Sequence, residues 1–290
     1  MFRCLVNRFK LYSELLKLEH TIFALPFVLS SIVLLMKEVP SPGKVLLIIL
    51  SAIFARTLGM ALNRLLDLPF DAKNPRTRLW PHASGLVKKP ELLAIILLSE
   101  SLFILTCALI NRLALILSPV VVLLLYFYPL AKRLTYFPHF VLGLVYFLIP
   151  LAVDVALNER VSTLAILLGI GMSTWVSGFD ILYSLQDYEF DKKVGLKSAA
   201  IRFGIEGAIK LARFLHFFTF LSFLLIAKTF EQIPYLYLVG LILISMFLIY
   251  EHRLIKPNDL SKLNKAFFTV NGWISVLFFF VVLLEKLLNQ

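Results

Sequence analysis

From residue 21 onward the sequence alternates long apolar runs with short polar connections, most of them basic. A helix needs about 20 residues to cross a hydrocarbon core of about 30 Å. Nine runs approach or reach that length: 21–36, 44–65, 90–110, 113–130, 138–156, 161–182, 207–227, 234–252 and 266–284. Inside lipid a backbone must satisfy its own hydrogen bonds, so runs of this kind fold as helices. The pattern predicts an all-α polytopic membrane protein of about nine transmembrane helices. Almost no chain is left for a soluble domain, and residues 1–290 read as a single membrane domain. The first twenty residues differ. Phe2, Leu5, Phe9, Tyr12, Leu15 and Leu16 fall near helical period with Arg8, Lys10, Glu14 and Lys17 between them, the pattern of an amphipathic helix lying on the membrane surface.

Composition agrees with lipid as the solvent. Hydrophobic residues make up 60% of the chain, and its mean hydropathy is +0.87, well beyond soluble domains. The formal charge of +11 would suggest nucleic acid in a soluble protein. Here no nucleic-acid-binding motif accompanies it, and the partner it implies is the anionic leaflet of the bilayer. Cys4 and Cys107 have no Cys or His at ligand spacing, so neither a disulfide framework nor a zinc site is expected. The N-terminal segment has scattered charges and no small-residue cleavage site, which does not fit a cleaved signal peptide.

Charge also orients the chain. With the N-terminus inside, 22 Lys and Arg residues fall on inner segments and six on outer ones, so the N-terminus and the loops after spans two and six are expected on the cytoplasmic side of the inner membrane. Arg56 is the remaining basic residue. It lies inside span two, where a charge is costly unless it meets an anion, water or the headgroup layer.

The chain holds only seven aspartates, and five of them fall in two short stretches. The first is Asn63-Arg-Leu-Leu-Asp67-Leu-Pro-Phe-Asp71, followed by Asn74-Pro-Arg76-Thr77. The second runs from Asp180 through Tyr183 and Asp187 to Asp191-Lys192-Lys193. Residues four apart share a helical face, so Asn63, Asp67 and Asp71 would form one polar stripe and Tyr183, Asp187 and Asp191 another, with Asp180 two turns deeper than Asp187. Stacked carboxylates repel unless a cation separates them. Hard oxygen ligands in pairs suit Mg²⁺, which fills its other positions with water and substrate phosphate. Arg76, Lys132 and the Lys192-Lys193 pair are close in the topology, and a site attracting both a divalent metal and an anion describes a diphosphate. Solvated loop charges and a divalent-cation transporter are the competing readings, although a transporter would place its acids nearer mid-membrane. Pro69 removes a helical hydrogen bond, so the second stripe is expected to be the more regular. Each stretch ends an inward-running helix, four spans apart, which predicts two similar half-bundles around a central cavity.

At these residues the chain resembles the UbiA-type membrane-embedded aromatic prenyltransferases. Asn63-x3-Asp67-x3-Asp71 with Arg76-Thr77 is similar to the family's first signature, and Tyr183-x3-Asp187-x3-Asp191 followed by Lys-Lys-x-Gly195-x-Lys-Ser198 to its second. Tyr128-Pro-Leu-Ala-Lys132-Arg133 resembles a third element. The resemblance spans most of the chain and lies nearest the 4-hydroxybenzoate polyprenyltransferase-like branch. It implies Mg²⁺-dependent transfer of a polyprenyl group from its diphosphate to an aromatic carboxylate such as 4-hydroxybenzoate, in respiratory quinone synthesis. Another menaquinone-pathway acceptor, haem or chlorophyll are the alternatives within the family. By position, Asp67, Asp71, Asp187 and Asp191 would hold the metal, and Asn63, Arg76, Lys132 and Lys192 the diphosphate, with Tyr128 and Tyr183 beside the substrate. Arg56 would meet the acceptor's carboxylate, and Asp180 its phenol, with Asp67, Asp180 and Asp187 the catalytic carboxylates. Arg64 and Trp80 depart from the family pattern.

The orientation is testable by cysteine labelling in intact cells. Arg78→Cys and Lys193→Cys should react with an impermeant reagent only after the membrane is permeabilised, and labelling from outside would reverse the topology.

Overall fold

The structure, a computed structural model, describes residues 2–17 and 21–288. The described residues are helical and contain no β-strand beyond one isolated bridge, Lys256 to Asp259. The helices are α1 (Phe2–Leu16), α2 (Thr21–Leu35), α3 (Pro42–Asp71), α4 (Lys89–Ile110), α5 (Arg112–Leu134), α6 (Pro138–Asn158), α7 (Thr163–Ser184), α8 (Tyr188–Val194), α9 (Ala199–Ile226), α10 (Tyr235–Leu254) and α11 (Asn271–Leu288). Among the described residues eight helical stretches are long and apolar enough to cross a membrane, and Ala24–Leu35 supplies a shorter apolar helix. The protein is therefore an integral membrane protein with about the number of spans expected. Exposed leucines along α4, such as Leu97, Leu98 and Leu105, are surfaces for lipid.

Several boundaries follow from local chemistry. Ser162 and Ser198 accept the amide hydrogens of Ala165 and Ile201 and so cap α7 and α9. Gly195, with φ 74°, ends α8. Gly204, with φ 73° and ψ 172°, breaks α9 into a first turn and a long span, close to residue 207, where the apolar run in the sequence begins. The predicted N-terminal helix is present as α1, while residues 1 and 18–20 of the predicted segment lie outside the described residues.

The chain divides into two compact units, residues 1–21 with 46–130, and residues 22–45 with 131–290. In the first, Leu15 of α1 packs with Val87 and Leu92, while Tyr12 donates to Glu91 at 2.8 Å. The end of α1 is capped by arginines of α3. Arg64 Nε donates to Leu15 O at 3.1 Å, and Arg56 donates through Nη1 to Leu16 O at 3.3 Å and through Nη2 to Lys17 O at 2.6 Å. These are carbonyls that a helix cannot satisfy within itself.

In the second unit α7 packs against α6 and α9. Its small residues make this possible, since helices in lipid associate through close packing rather than a hydrophobic driving force. Gly143 of α6 lies against Ser173 and Ser177 of α7, and Gly171 and Gly178 of α7 lie against Phe223 and His216 of α9. Trp175, Phe27, Phe223, Phe278 and Tyr237 form the fully buried centre. The Tyr237 hydroxyl donates to Phe223 O at 2.7 Å, and its amide donates to Glu285 at 2.7 Å. Asp154 closes the α6–α7 connection, accepting from Asn158 and from the Ser162 amide at 2.7 Å each.

A methyl group added at Gly171 would collide with the Phe223 ring, whereas one at Gly43 meets nothing within 4 Å. Gly171→Ala should therefore destabilise the protein by about 1–3 kcal/mol and Gly43→Ala should not. Thermal melting in detergent measures both, and equal melting temperatures would contradict this packing.

Candidate active site

The first aspartate segment is the end of α3. The helix runs unbroken through the exposed Pro69 to Asp71, so the expected stripe exists. Asn63 Nδ2 donates to Asp67 Oδ2 at 2.9 Å, and Asp67 is buried. Beyond Asp71 the chain folds back on itself. Asn74 Oδ1 accepts the Arg76 amide hydrogen at 2.9 Å, and the Thr77 hydroxyl donates to Asp71 O at 2.9 Å. Arg76-Thr77 is thereby held beside the acidic helix end. The Trp80 ring then gathers cations: Arg64 lies 4.4 Å, Arg76 5.1 Å and Lys17 5.2 Å from its centroid. An indole face attracts cations, so the departure at Trp80 gives Arg76 a platform.

The second segment is less regular than expected. α7 ends at Ser184, Leu185–Asp187 form a 3₁₀ turn, and α8 resumes at Tyr188. The contrast between the two segments is thus the reverse of the one Pro69 suggested: a proline near a helix end costs little, whereas the tighter 3₁₀ turn shifts Asp187 off the regular α-helical register. Asp187 and Asp191 are partly exposed, and Lys192 is exposed. After α8 the loop docks on the end of α5. The Lys197 amide donates to Lys132 O at 2.8 Å, and its ammonium group to Leu134 O at 3.1 Å. Lys132 of the third element therefore stands beside the Lys-Lys-x-Gly-x-Lys loop. Tyr128 lies one turn earlier on α5. Tyr183 stacks on Phe267 at 3.9 Å between centroids, with Phe268 edge-on at 6.3 Å.

The two phenylalanines lie on a π-helical turn, Lys265–Val270. That turn is tied to α7 and α10 through Asn271, which donates to Glu251 at 2.6 Å and to Ala266 O at 3.2 Å and accepts from the Trp175 indole at 3.0 Å. A π turn adds a residue to the helix and turns side chains toward positions that a regular helix would miss.

Two histidines were absent from the sequence reading. His82 Nε2 lies 2.8 Å from Asp71 Oδ2, and His139 Nδ1 lies 2.7 Å from Asp180 Oδ2. Both are buried. His82 lies in an irregular loop and His139 is 41 residues from its partner, so no helical spacing could have paired them. Among the described residues no three His, Cys, Asp or Glu groups stand close enough to hold a metal by themselves. The donors are carboxylates in pairs. That set fits Mg²⁺, which takes one or two protein carboxylates and completes its shell from water and phosphate.

A polytopic helical membrane protein with paired aspartates at helix ends and basic side chains beside them belongs with the membrane-embedded polyprenyl transferases. Residues 24–281 match the UbiA prenyltransferase family, and the chain belongs to it. The 4-hydroxybenzoate octaprenyltransferase of Shewanella denitrificans is 31% identical over 98% of this chain and 97% of that protein. A second enzyme of that name, from Francisella tularensis, is 27% identical over 98% of each. Among solved structures, the apo UbiA homolog from Aeropyrum pernix K1 superposes with a TM-score of 0.82 at 28% identity, covering 92% of this chain and 98% of that one. A UbiA homolog from Archaeoglobus fulgidus, solved with DMAPP and Mg²⁺, has a TM-score of 0.74 at 19% identity over 95% of this chain and 98% of that one, a likeness of fold. This chain is a polyprenyltransferase of the 4-hydroxybenzoate polyprenyltransferase-like kind.

Proposed function

We propose that the protein transfers a polyprenyl group from polyprenyl diphosphate to an aromatic carboxylate, 4-hydroxybenzoate before others, with Mg²⁺, in the quinone biosynthesis of a cytoplasmic membrane. The paired aspartate segments carry this reading, and the full-length likeness to enzymes of that name supports the acceptor. The N-terminus and both segments face the cytoplasm, in line with the basic residues of the loops.

Asp67, Asp71, Asp187 and Asp191 would hold Mg²⁺, which when bound neutralises charge on the diphosphate. The chain supplies the rest. Asn63 orients Asp67, and His82 orients Asp71. Arg76, Lys132 and Lys192 offset the negative charge that grows on the leaving diphosphate as the allylic carbon–oxygen bond breaks. Tyr183 and Tyr128 present aromatic faces to the cationic prenyl carbon. Asp180 takes the proton of the acceptor's hydroxyl, which makes the ring carbon a better nucleophile.

Asp67→Ala and Asp191→Ala should each lower turnover about a hundredfold or more in protein that still melts cooperatively. Near wild-type activity of either at saturating Mg²⁺ would refute the shared role of the two segments.

Arg56 is assigned to the acceptor's carboxylate, and it also caps α1. A buried charge-assisted hydrogen bond is worth about 1.5–3 kcal/mol, or about ten- to a hundredfold in affinity. Arg56→Ala should raise KM for the aromatic acid by that factor and leave KM for the prenyl diphosphate unchanged. A lowered melting temperature with unchanged acceptor KM would leave Arg56 as a cap alone.

A further inference from the structure

The pairing of His139 with Asp180 contains more information than its short distance. His139 Nδ1 lies 2.7 Å from Asp180 Oδ2, and on the other side of the ring the Ala199 amide donates to Nε2 at 3.4 Å. An amide N–H can only donate, so Nε2 must present its lone pair. A neutral imidazole has one N–H, which then sits on Nδ1 and points at Asp180. The opposite arrangement, with Asp180 donating to Nδ1, would place a hydrogen on Nε2 facing the amide hydrogen of Ala199. The ring is held in this orientation because it is buried at the start of α6, where the Ser177 hydroxyl donates to His139 O at 3.1 Å. Two nearby cations are turned elsewhere: Lys197 donates to Leu134 O, and Lys197 and Arg202 of α9 lie over the Tyr136 ring at 5.6 and 5.7 Å.

We infer that His139 is a positioning residue for the prenyl transfer, fixed by the Ala199 amide as a donor from Nδ1, so that Asp180 is held as a carboxylate aimed to accept the acceptor's hydroxyl proton. The inference rests on the aromatic-acceptor reading above and deepens it. In the step, the acceptor's O–H bond breaks and its proton passes to the Asp180 carboxylate. The electron pair released on oxygen feeds the ring carbon, which bonds to the prenyl carbon while the carbon–oxygen bond to diphosphate breaks and its pair leaves with the diphosphate. The proton on the alkylated ring carbon then passes to water, and return of the first proton from Asp180 to oxygen restores the phenol. His139 does not exchange its proton, because a hydrogen on Nε2 would oppose the Ala199 amide. It stays a donor throughout the cycle, the kind of orienting role that a partner residue plays toward a catalytic base.

A glutamine can reproduce this polarity, since its amide nitrogen donates while its oxygen accepts. A leucine cannot. Turnover of 4-hydroxybenzoate by the wild-type protein in detergent, with a prenyl diphosphate and Mg²⁺, first tests the underlying reading. Its absence with every hydroxylated aromatic acid tried would overturn that reading and this inference together. Given turnover, His139→Leu should lower kcat about a hundredfold near neutral pH, with prenyl diphosphate binding and melting temperature close to wild type. Its rate should climb steeply as pH approaches the phenol range, about 10 for a tyrosine hydroxyl, where solvent does the deprotonation. His139→Gln should recover most of the lost rate at neutral pH. A wild-type rate in His139→Leu, a deficit equal at all pH values, or no recovery in His139→Gln would each overturn the assignment while leaving the aromatic acceptor in place.

Discussion

A carboxylate on a helix that crosses lipid must be met by a donor or a cation within hydrogen-bond reach, because an isolated ion taken out of water costs several kcal/mol even after the protein relaxes. Much of the polar architecture follows from that one requirement. Asp67 has Asn63, Asp71 has His82, Asp180 has His139, and Asp154 has Asn158 with the Ser162 amide. Each partner fixes the direction of its carboxylate as well as satisfying it. An asparagine partner adds no charge of its own and leaves the carboxylate's negative charge able to attract a cation. A lysine or arginine in the same place would cancel it.

The same requirement organises the second unit away from the aspartates. Glu251, His216 and Asn271 are all buried, and they meet one another rather than lipid. His216 Nε2 faces Trp175 O at 3.2 Å, its Nδ1 faces His252 at 2.9 Å, and Asn271 links Glu251 to the Trp175 indole. This network anchors the start of α11 to α7 and α10. Its consequence for the site is the π-helical turn before α11, which sets Phe267 against Tyr183 one turn from Asp187. Buried polar groups thus hold an aromatic wall in position, and the tight glycine contacts of α7 keep its neighbours close enough for the network to form.

How much of this was readable in the chain follows from the range of each interaction. The spans, the N-terminal helix and the Asn63–Asp67–Asp71 stripe depend on residues within a few turns of one another, and periodicity finds them. Gly204 was visible as a glycine, but only its positive φ shows that it separates the first turn of α9 from the span. Pro69 disturbs α3 little, because its missing hydrogen bond falls in the last turn of the helix, near its exposed end. The 3₁₀ turn at Leu185–Asp187 leaves no mark in the spacing of the aspartates. His82, His139 and the arginine caps on α1 depend on contacts 11 to 49 residues apart, and no local pattern encodes those. Arg56 is one such case: its guanidinium meets Leu16 O at the end of α1 and Lys17 O just beyond it, contacts that its depth in span two does not reveal.

In the proposed function, paired carboxylates recognise a prenyl diphosphate through a divalent cation. Binding of a non-reactive prenyl thiodiphosphate to the purified protein, measured by calorimetry across a Mg²⁺ titration, tests it without any acceptor present. Affinity should rise with Mg²⁺ and fall at least tenfold when the metal is chelated, since carboxylates and phosphates repel without a cation between them. Equal affinity with and without the metal would contradict it.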